Sequence, residues 1–149
     1  MIRRVFLVLA VTAVAAGTAA ASLSPQDYRK QANAICAKAE KSLNAIPNPK
    51  TVKELPGVVR SGIAVDRSFV KALAALSPPA ALRSLHDKAV SLSRQELAGV
   101  EELLARIEDG EDPDTVIADL SPRIDPISKA EVATYRRLGL AACAKFAAS

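Results

Sequence analysis

Apolar residues recur at three- and four-residue steps along most of this chain, and proline-containing segments interrupt the pattern at intervals. Such spacing places apolar side chains on one face of an α-helix, and no segment shows the strict alternation of a half-buried strand. Because proline cannot continue the helical hydrogen-bond ladder, each interruption ends one helix and allows the next to begin. The sequence therefore predicts an all-α fold: an up-down-up-down bundle of four amphipathic helices on short connections.

Capping residues mark the starts of the first two predicted helices. Ser24 is the expected N-cap of the first helix, and Asp27 stands where a capping-box carboxylate reaches back to it. Thr51 and Glu54 form the same pattern for the second helix. Pro56 follows closely, which indicates either a kink or a later start of this helix.

Glycines and prolines delimit the third and fourth predicted helices. The third follows the Ser-Pro-Pro segment 77–79 and ends at Gly110, a natural left-handed cap. The fourth begins at Asp112 and ends at Gly139, after which Leu140 is expected to fold back. Two internal prolines can split the fourth helix into a short turn and a main helix: Pro122 and Pro126. Its apolar face follows a seven-residue repeat that also includes two polar positions: Ile117, Leu120, Ile124, Ile127, Leu138, Glu131 and Thr134.

Residues 1–21 have the three parts of a secretory signal peptide. Arg3 and Arg4 supply a positive segment, residues 5–16 are apolar, and small residues with Ala-x-Ala spacing lead to the cleavage site. An uncleaved membrane anchor would need about 20 apolar residues, more than this segment offers. We therefore expect export, cleavage at the end of this segment, and a single helical-bundle domain over residues 22–149.

The charge of the mature chain is modest and scattered. The formal net charge of +4 falls to +2 once the two arginines of the signal segment are removed, and the chain has no tryptophan and two tyrosines. A nucleic-acid surface needs clustered basic residues, so we expect no nucleic-acid partner. We also expect a secreted monomer with no membrane span after cleavage, whose partner is an unknown protein or small-molecule ligand.

Two cysteines lie far apart in the sequence. Cys36 falls on the apolar face of the first helix, and Cys143 follows the glycine that ends the fourth. In an exported protein two cysteines most often form one disulfide, which here would tie the C-terminal tail to the first helix. The alternatives are two free thiols or half of a metal site. Zinc would need about four nitrogen or sulfur ligands, and the chain has one histidine.

The titratable residues on or beside the apolar faces are the candidates for chemistry: His86, Asp66, Glu96 and Glu131. The lone histidine, His86, has no partner at the spacing of a di-iron site, so we expect it to be partly exposed without a ligand role. Buried together, the three acids would form a carboxyl site with shifted pKa values. More commonly such acids lie at the edge of an apolar face and contact arginines, of which four are near in sequence: Arg67, Arg94, Arg136 and Arg137.

No residue pattern indicates a cofactor, a metal or a catalytic constellation. The serines have no histidine-based triad, and no glycine-rich phosphate loop occurs in the sequence. The acidic stretch EDGEDPD, residues 108–114, lacks the ligand spacing of a calcium-binding loop and fits a solvated turn. We therefore assign no catalytic, cofactor-binding or metal-binding residue.

Three short sequence patterns are distributed along nearly the whole mature chain. They are N-A-I-C, which ends at Cys36, L-x-P-P-x-x-L-R, which ends at Arg83, and L-G-L-x-x-C, which ends at Cys143. In these patterns the chain resembles a group of small secreted proteins and lipoproteins of high-GC Gram-positive bacteria. The resemblance implies a helical, disulfide-closed exported domain, and it transfers no catalytic residue. The lipoprotein cysteine has no counterpart here, so soluble export is the expectation.

Three hypotheses for function follow. The leading one is a non-enzymatic exported domain that binds a protein partner or a ligand at the cell envelope. A second is a carrier that holds an apolar small molecule in a cavity among the alanine-rich helices. A third is a secreted all-helical enzyme of the chorismate-mutase type, in which four basic residues would converge around a dianion: Arg60, Arg67, Arg94 and Lys88.

Overall fold

The computed structural model describes residues 22–148, and the predicted signal peptide lies outside the described residues. All regular structure within this range is helical. The five α-helices are α1 (Pro25–Asn44), α2 (Leu55–Ala74), α3 (Arg83–Glu108), α4 (Pro113–Leu138) and α5 (Ala141–Phe146). Single 3₁₀ turns precede α2 and α3, at Val52–Glu54 and Ala80–Leu82. The predicted all-α class is confirmed, and the tail after Gly139 forms a fifth, short helix.

Side-chain caps start α1 and α4 at the predicted residues Ser24 and Asp112, although the Asp27 carboxylate reaches back to the Ser24 hydroxyl and not to its backbone N–H. The Ser24 hydroxyl accepts a hydrogen bond from the Asp27 backbone N–H at 3.1 Å and donates one to the Asp27 carboxylate at 2.6 Å. At the start of α4, the Asp112 carboxylate accepts from the backbone N–H of Thr115 at 3.0 Å. Each cap satisfies a backbone donor that has no partner within its helix.

The start of α2 differs from the capping-box prediction. The Thr51 side chain makes no capping hydrogen bond, and the α-helix begins at Leu55, with Pro56 in its first turn. The Glu54 carboxylate accepts from the Lys50 backbone N–H at 2.8 Å, one residue earlier than a capping box requires. Of the two alternatives for Pro56, the later start is therefore correct, and proline suits a first turn because its missing N–H would have no partner there.

The internal prolines do not divide α4, which is one helix with Pro122 and Pro126 inside it. Both prolines are exposed. The backbone carbonyls that lose their helical donors therefore lie where water can replace them. The apolar face of α4 is also displaced from the predicted repeat, because Val116 is buried whereas Ile117 is 47% exposed. A strict seven-residue repeat drifts by about 20° per heptad on a straight helix, so the three heptads between Ile117 and Leu138 turn Ile117 away from the core.

Each long helix packs against the next one along the chain, and α5 packs against both α1 and α4. The short helix thus connects the first long helix to the last one. The up-down-up-down order of the four long helices stays a prediction. The main core contains residues from all five helices: Tyr28, Ala32, Cys36, Ala39, Phe69, Val70, Leu73, Ala89, Val90, Tyr135, Leu138, Leu140, Cys143 and Ala144.

The connection from α4 to α5 is a tight left-handed turn. Gly139 has a φ of 73°, and an added Cβ would lie 3.0 Å from Nε of Arg29, so this position requires glycine. Leu140 follows, fully buried, and its backbone N–H donates to the Tyr135 carbonyl at 2.9 Å. The predicted disulfide is present, with Cys36 and Cys143 Cα atoms 5.0 Å apart. It ties α5 to α1.

Candidate functional site

A pocket of about 750 Å³ lies among α2, α3, α4, the C-terminal end of α1 and the C-terminal residues of the chain. Its walls are largely apolar: Leu43, Phe69, Val70, Leu97, Val132 and Phe146. The same walls contain Asp66 from α2, Glu96 from α3 and Glu131 from α4. We call this cavity the carboxyl pocket. The structure therefore brings together all three acids that the sequence singled out.

The three acids differ in burial. Glu131 is 2% exposed, whereas Asp66 and Glu96 are half-buried. Each comes from a different long helix, so the grouping depends on how α2, α3 and α4 pack. Within the described part of the chain, none of these three carboxylates has the charged nitrogen of a basic side chain within 4 Å.

Glu131 is held by hydroxyl groups on one side only. Its Oε1 accepts hydrogen bonds from the Ser93 hydroxyl and from the Tyr135 hydroxyl, the latter at 2.8 Å. The two hydroxyl oxygens lie 2.9 Å apart, so the three side chains form one buried network. The other carboxyl oxygen, Oε2, is buried and accepts from no hydroxyl, amide or basic group; the Glu96 carboxyl can pair with Glu131 only through a proton on one of the two acids. A buried acceptor left unpaired is costly, and such atoms in folded proteins call for an explanation.

Burial controls the protonation of this cluster. The pKa of Glu131 is raised to about 8; burial is the largest cause, and a hydrogen bond with the Glu96 carboxyl is the second, because that bond requires a proton on one of the two groups. Burial likewise raises the pKa of Asp66 to about 6, with a second contribution from the negative charge of Glu96. The pKa of the Tyr135 hydroxyl is raised as well, mainly by burial and then by Glu131. At neutral pH Glu131 therefore keeps its proton.

The expectation that these acids contact arginines is wrong. Arg67, the residue after Asp66, donates instead to Glu101 at 2.8 Å. Successive residues on a helix point about 100° apart, so a neighbour in sequence is turned toward a different surface. Two exposed basic residues, Lys129 and Arg136, do line the carboxyl pocket, but neither forms an ion pair with an acid of the cluster.

The prediction of a partly exposed His86 is also wrong. His86 is 3% exposed, and its Nδ1 lies 3.0 Å from the hydroxyl oxygen of the buried Tyr28. The buried face of α3 includes His86 and Ser93 together with Ala89 and Val90, at steps of three and four residues. Each of the two polar residues on this face has a tyrosine hydroxyl as partner. The three- and four-residue spacing that places His86 on this face was a signal for its burial that sequence reasoning missed. The chain has only two tyrosines, and each is the partner of one of the two polar residues.

The basic residues required for a chorismate-mutase type of site do not converge. Arg60 pairs with Glu108, and Arg67 pairs with Glu101. The remaining two, Arg94 and Lys88, are exposed. None of the four lines the carboxyl pocket.

The acidic stretch 108–114 is a structured turn between α3 and α4. Glu111 pairs with Arg106 at 2.6 Å, and Asp112 caps α4. Among residues 22–148, no group of three or more histidine, cysteine, aspartate or glutamate side chains is placed to hold a metal ion. None of the helices in this range has the length and hydropathy of a membrane span. Comparison with protein-family models, with curated proteins and with solved structures gives no match for this chain.

Proposed function

We propose that the chain is an exported, non-enzymatic helical domain that binds a small, largely apolar ligand in the carboxyl pocket. The observation that carries this proposal is the pocket itself. Its volume of about 750 Å³ falls within the roughly 300–1,000 Å³ of small-molecule sites. Such sites combine apolar walls with a few convergent polar groups, and here those groups are the acids and the Ser93 hydroxyl.

Export and the bundle topology belong to the same proposal. A disulfide that joins Cys36 to Cys143 is typical of proteins outside the reducing cytosol. The signal-peptide pattern of residues 1–21 and the resemblance to small secreted proteins support the same location. Contacts between successive long helices, together with short connections, favour the up-down-up-down order of α1 to α4.

Binding of a neutral apolar dye tests the proposal. Nile red added to the purified mature domain should bind saturably, with a rise in fluorescence as the dye leaves water. The Val132→Trp variant fills the pocket with a larger side chain and should weaken binding by roughly tenfold or more, equivalent to about 1.4 kcal/mol.

The matched control is Val52→Trp. It makes the same substitution at a residue that is 70% exposed and does not line the pocket. Circular dichroism should show that both variants remain helical. No saturable binding by the unmodified domain, or equal loss in the two variants, would contradict a ligand site in this pocket.

A further inference from the structure

We infer that the carboxyl pocket selects organic cations, namely molecules with a protonated amine on an apolar body, and seats the ammonium group against Glu131, Glu96 and Asp66. This inference rests on the proposed function. It names the chemical class of the ligand, which an apolar cavity alone does not specify.

The unpaired oxygen of Glu131 is the first step. Glu131 is 2% exposed and lines the pocket. Its Oε1 already accepts from two hydroxyl donors, whereas its Oε2 is buried. Apart from a proton shared with the Glu96 carboxyl, Oε2 has no donor within the described chain. A protonated amine offers up to three N–H donors and a positive charge, so it can satisfy Oε2 and hydrogen-bond a second carboxyl.

The charge balance of the pocket points the same way. Three carboxyl groups from three helices line it, and no described basic side chain is paired with them. The basic residues of the lining, Lys129 and Arg136, are exposed, whereas Glu131 is buried. The most enclosed ionisable group of the lining is thus acidic, which disfavours an anion as the ligand.

The apolar walls complete the match. Phe69 and Phe146 both line the pocket, with ring centroids 4.9 Å apart. Aromatic ring faces attract cations as well as alkyl groups, so they suit the carbon atoms next to an ammonium group. The rings therefore favour an organic cation over a strongly hydrated inorganic ion.

Cation binding should be linked to proton release. Ser93, Glu96 and Tyr135 interact with Glu131 directly. The other charged groups that line the same pocket are Asp66 from α2 and the exposed Lys129 and Arg136 from α4; the C-terminal part of the lining, Phe146 to Ala148, is uncharged. Because Glu131 keeps its proton at neutral pH, an ammonium group replaces that proton when it binds. Affinity should then rise with pH through about 8, the pKa of Glu131. An alkylamine stays protonated over this range, since its pKa resembles the roughly 10.4 of lysine.

Calorimetry with three ligands of equal chain length tests the inference: hexylamine, hexanol and hexanoate. Hexylamine should bind at least roughly tenfold more tightly than hexanol, and hexanoate should bind most weakly. Equal binding of hexylamine and hexanol would overturn the inference while leaving the apolar pocket standing. Tighter binding of hexanoate would also overturn it. No binding of any of the three, with no binding of Nile red, would overturn the proposed function itself.

A variant pair identifies the group responsible. Glu131→Gln should remove the preference for hexylamine and its pH dependence while hexanol binding is retained. The control, Asp125→Asn, removes an exposed carboxylate from the same helix that does not line the pocket, and it should keep the preference. An unchanged preference in Glu131→Gln would overturn the assignment. If that variant does not fold, the comparison of the three ligands on the unmodified domain still decides the inference.

Discussion

Glu131 brings an ionisable group into the core, and the stability of the fold should therefore depend on pH. Its pKa is about 8 in the folded chain against an ordinary value of 4.5. Between these values the unfolded chain has released the proton that the folded chain retains. Because the unfolded state then binds fewer protons, the free energy of unfolding falls as pH rises, and it levels off above the folded pKa.

The Glu131→Gln variant should remove this dependence. Glutamine keeps the size of the side chain and an acceptor for Ser93 and Tyr135, but it does not titrate. Between pH ~4 and pH ~8.5 the unmodified domain should lose about 2–4 kcal/mol of unfolding free energy that the variant retains, since each pKa unit corresponds to about 1.4 kcal/mol. Urea unfolding of both proteins across this range measures the difference. Parallel pH profiles would show that Glu131 ionises normally in the folded state.

The buried His86 should act in the opposite direction. Burial lowers its pKa below the ordinary value of 6.5, so at acidic pH the unfolded chain takes up a proton that the folded chain resists, and stability falls as pH decreases below 6.5. Because the chain has one histidine, its NMR titration is unambiguous, and we expect a midpoint below 6.5. Replacing Tyr28 by Phe leaves Nδ1 without its partner and should cost about 1–3 kcal/mol. A midpoint at or above the ordinary value would contradict the buried Tyr28–His86 pair.

At the scale of helices, α3 and α4 approach closely at Gly99. A Cβ added there would lie 2.8 Å from Cδ1 of Ile124 and 2.9 Å from its Cγ1. Although alanine favours a helix more than glycine does, Gly99→Ala should lower the free energy of unfolding by about 1–3 kcal/mol through overpacking. Adding Ile124→Ala should recover part of the Gly99→Ala loss in a double-mutant cycle.

The matched control for this contact is Gly57→Ala in α2. Apart from the adjacent backbone of α2 itself, no atom of the described chain lies within 4 Å of an added Cβ at that position. The change should therefore be neutral or stabilise the fold by up to about 1 kcal/mol, the helix preference of alanine over glycine. If both alanine variants stabilise the domain equally, the close approach of α3 and α4 is not a constraint.

At the scale of the whole molecule, local signals in the sequence sufficed for features that depend on a few adjacent residues. The caps at Ser24 and Asp112 and the left-handed glycine at Gly139 are of this kind. The pairing of two cysteines followed from their number and from the expected location. The contact of His86 with Tyr28 was not predictable in this way, because Tyr28 approaches from another helix.

The candidate site shows the same limit. Asp66, Glu96 and Glu131 each lie near an apolar face in the sequence, but whether they share one pocket depends on the rotation and height of three helices relative to one another. Arg67 illustrates the difficulty, since its position beside Asp66 suggested an ion pair that the helix geometry does not allow. Side-chain grouping across helices is a property of packing, and a pattern along one chain does not specify it.

The Cys36–Cys143 disulfide links the stability of the whole domain to the carboxyl pocket. It closes a loop with a sequence separation of 107 residues, for which the chain-entropy argument gives a stabilisation of roughly 4–5 kcal/mol. It also holds α5, whose Phe146 forms part of the pocket wall. Loss of the bridge should therefore lower stability and loosen one side of the pocket.

A variant with Cys36→Ser and Cys143→Ser should stay helical by circular dichroism and lose about 2–5 kcal/mol of unfolding free energy, the usual cost of removing a native disulfide. Nile red binding should weaken as well, because α5 then keeps its position only through non-covalent contacts such as the hydrogen bond from Ala142 N–H to Asn33 at 3.0 Å. Reductant should reproduce both effects in the unmodified domain and change nothing in the double variant, which serves as the control. Thiol titration of the unfolded, unreduced domain should find no free thiol. Full dye binding after the bridge is broken would show that the pocket wall formed by α5 does not need the disulfide.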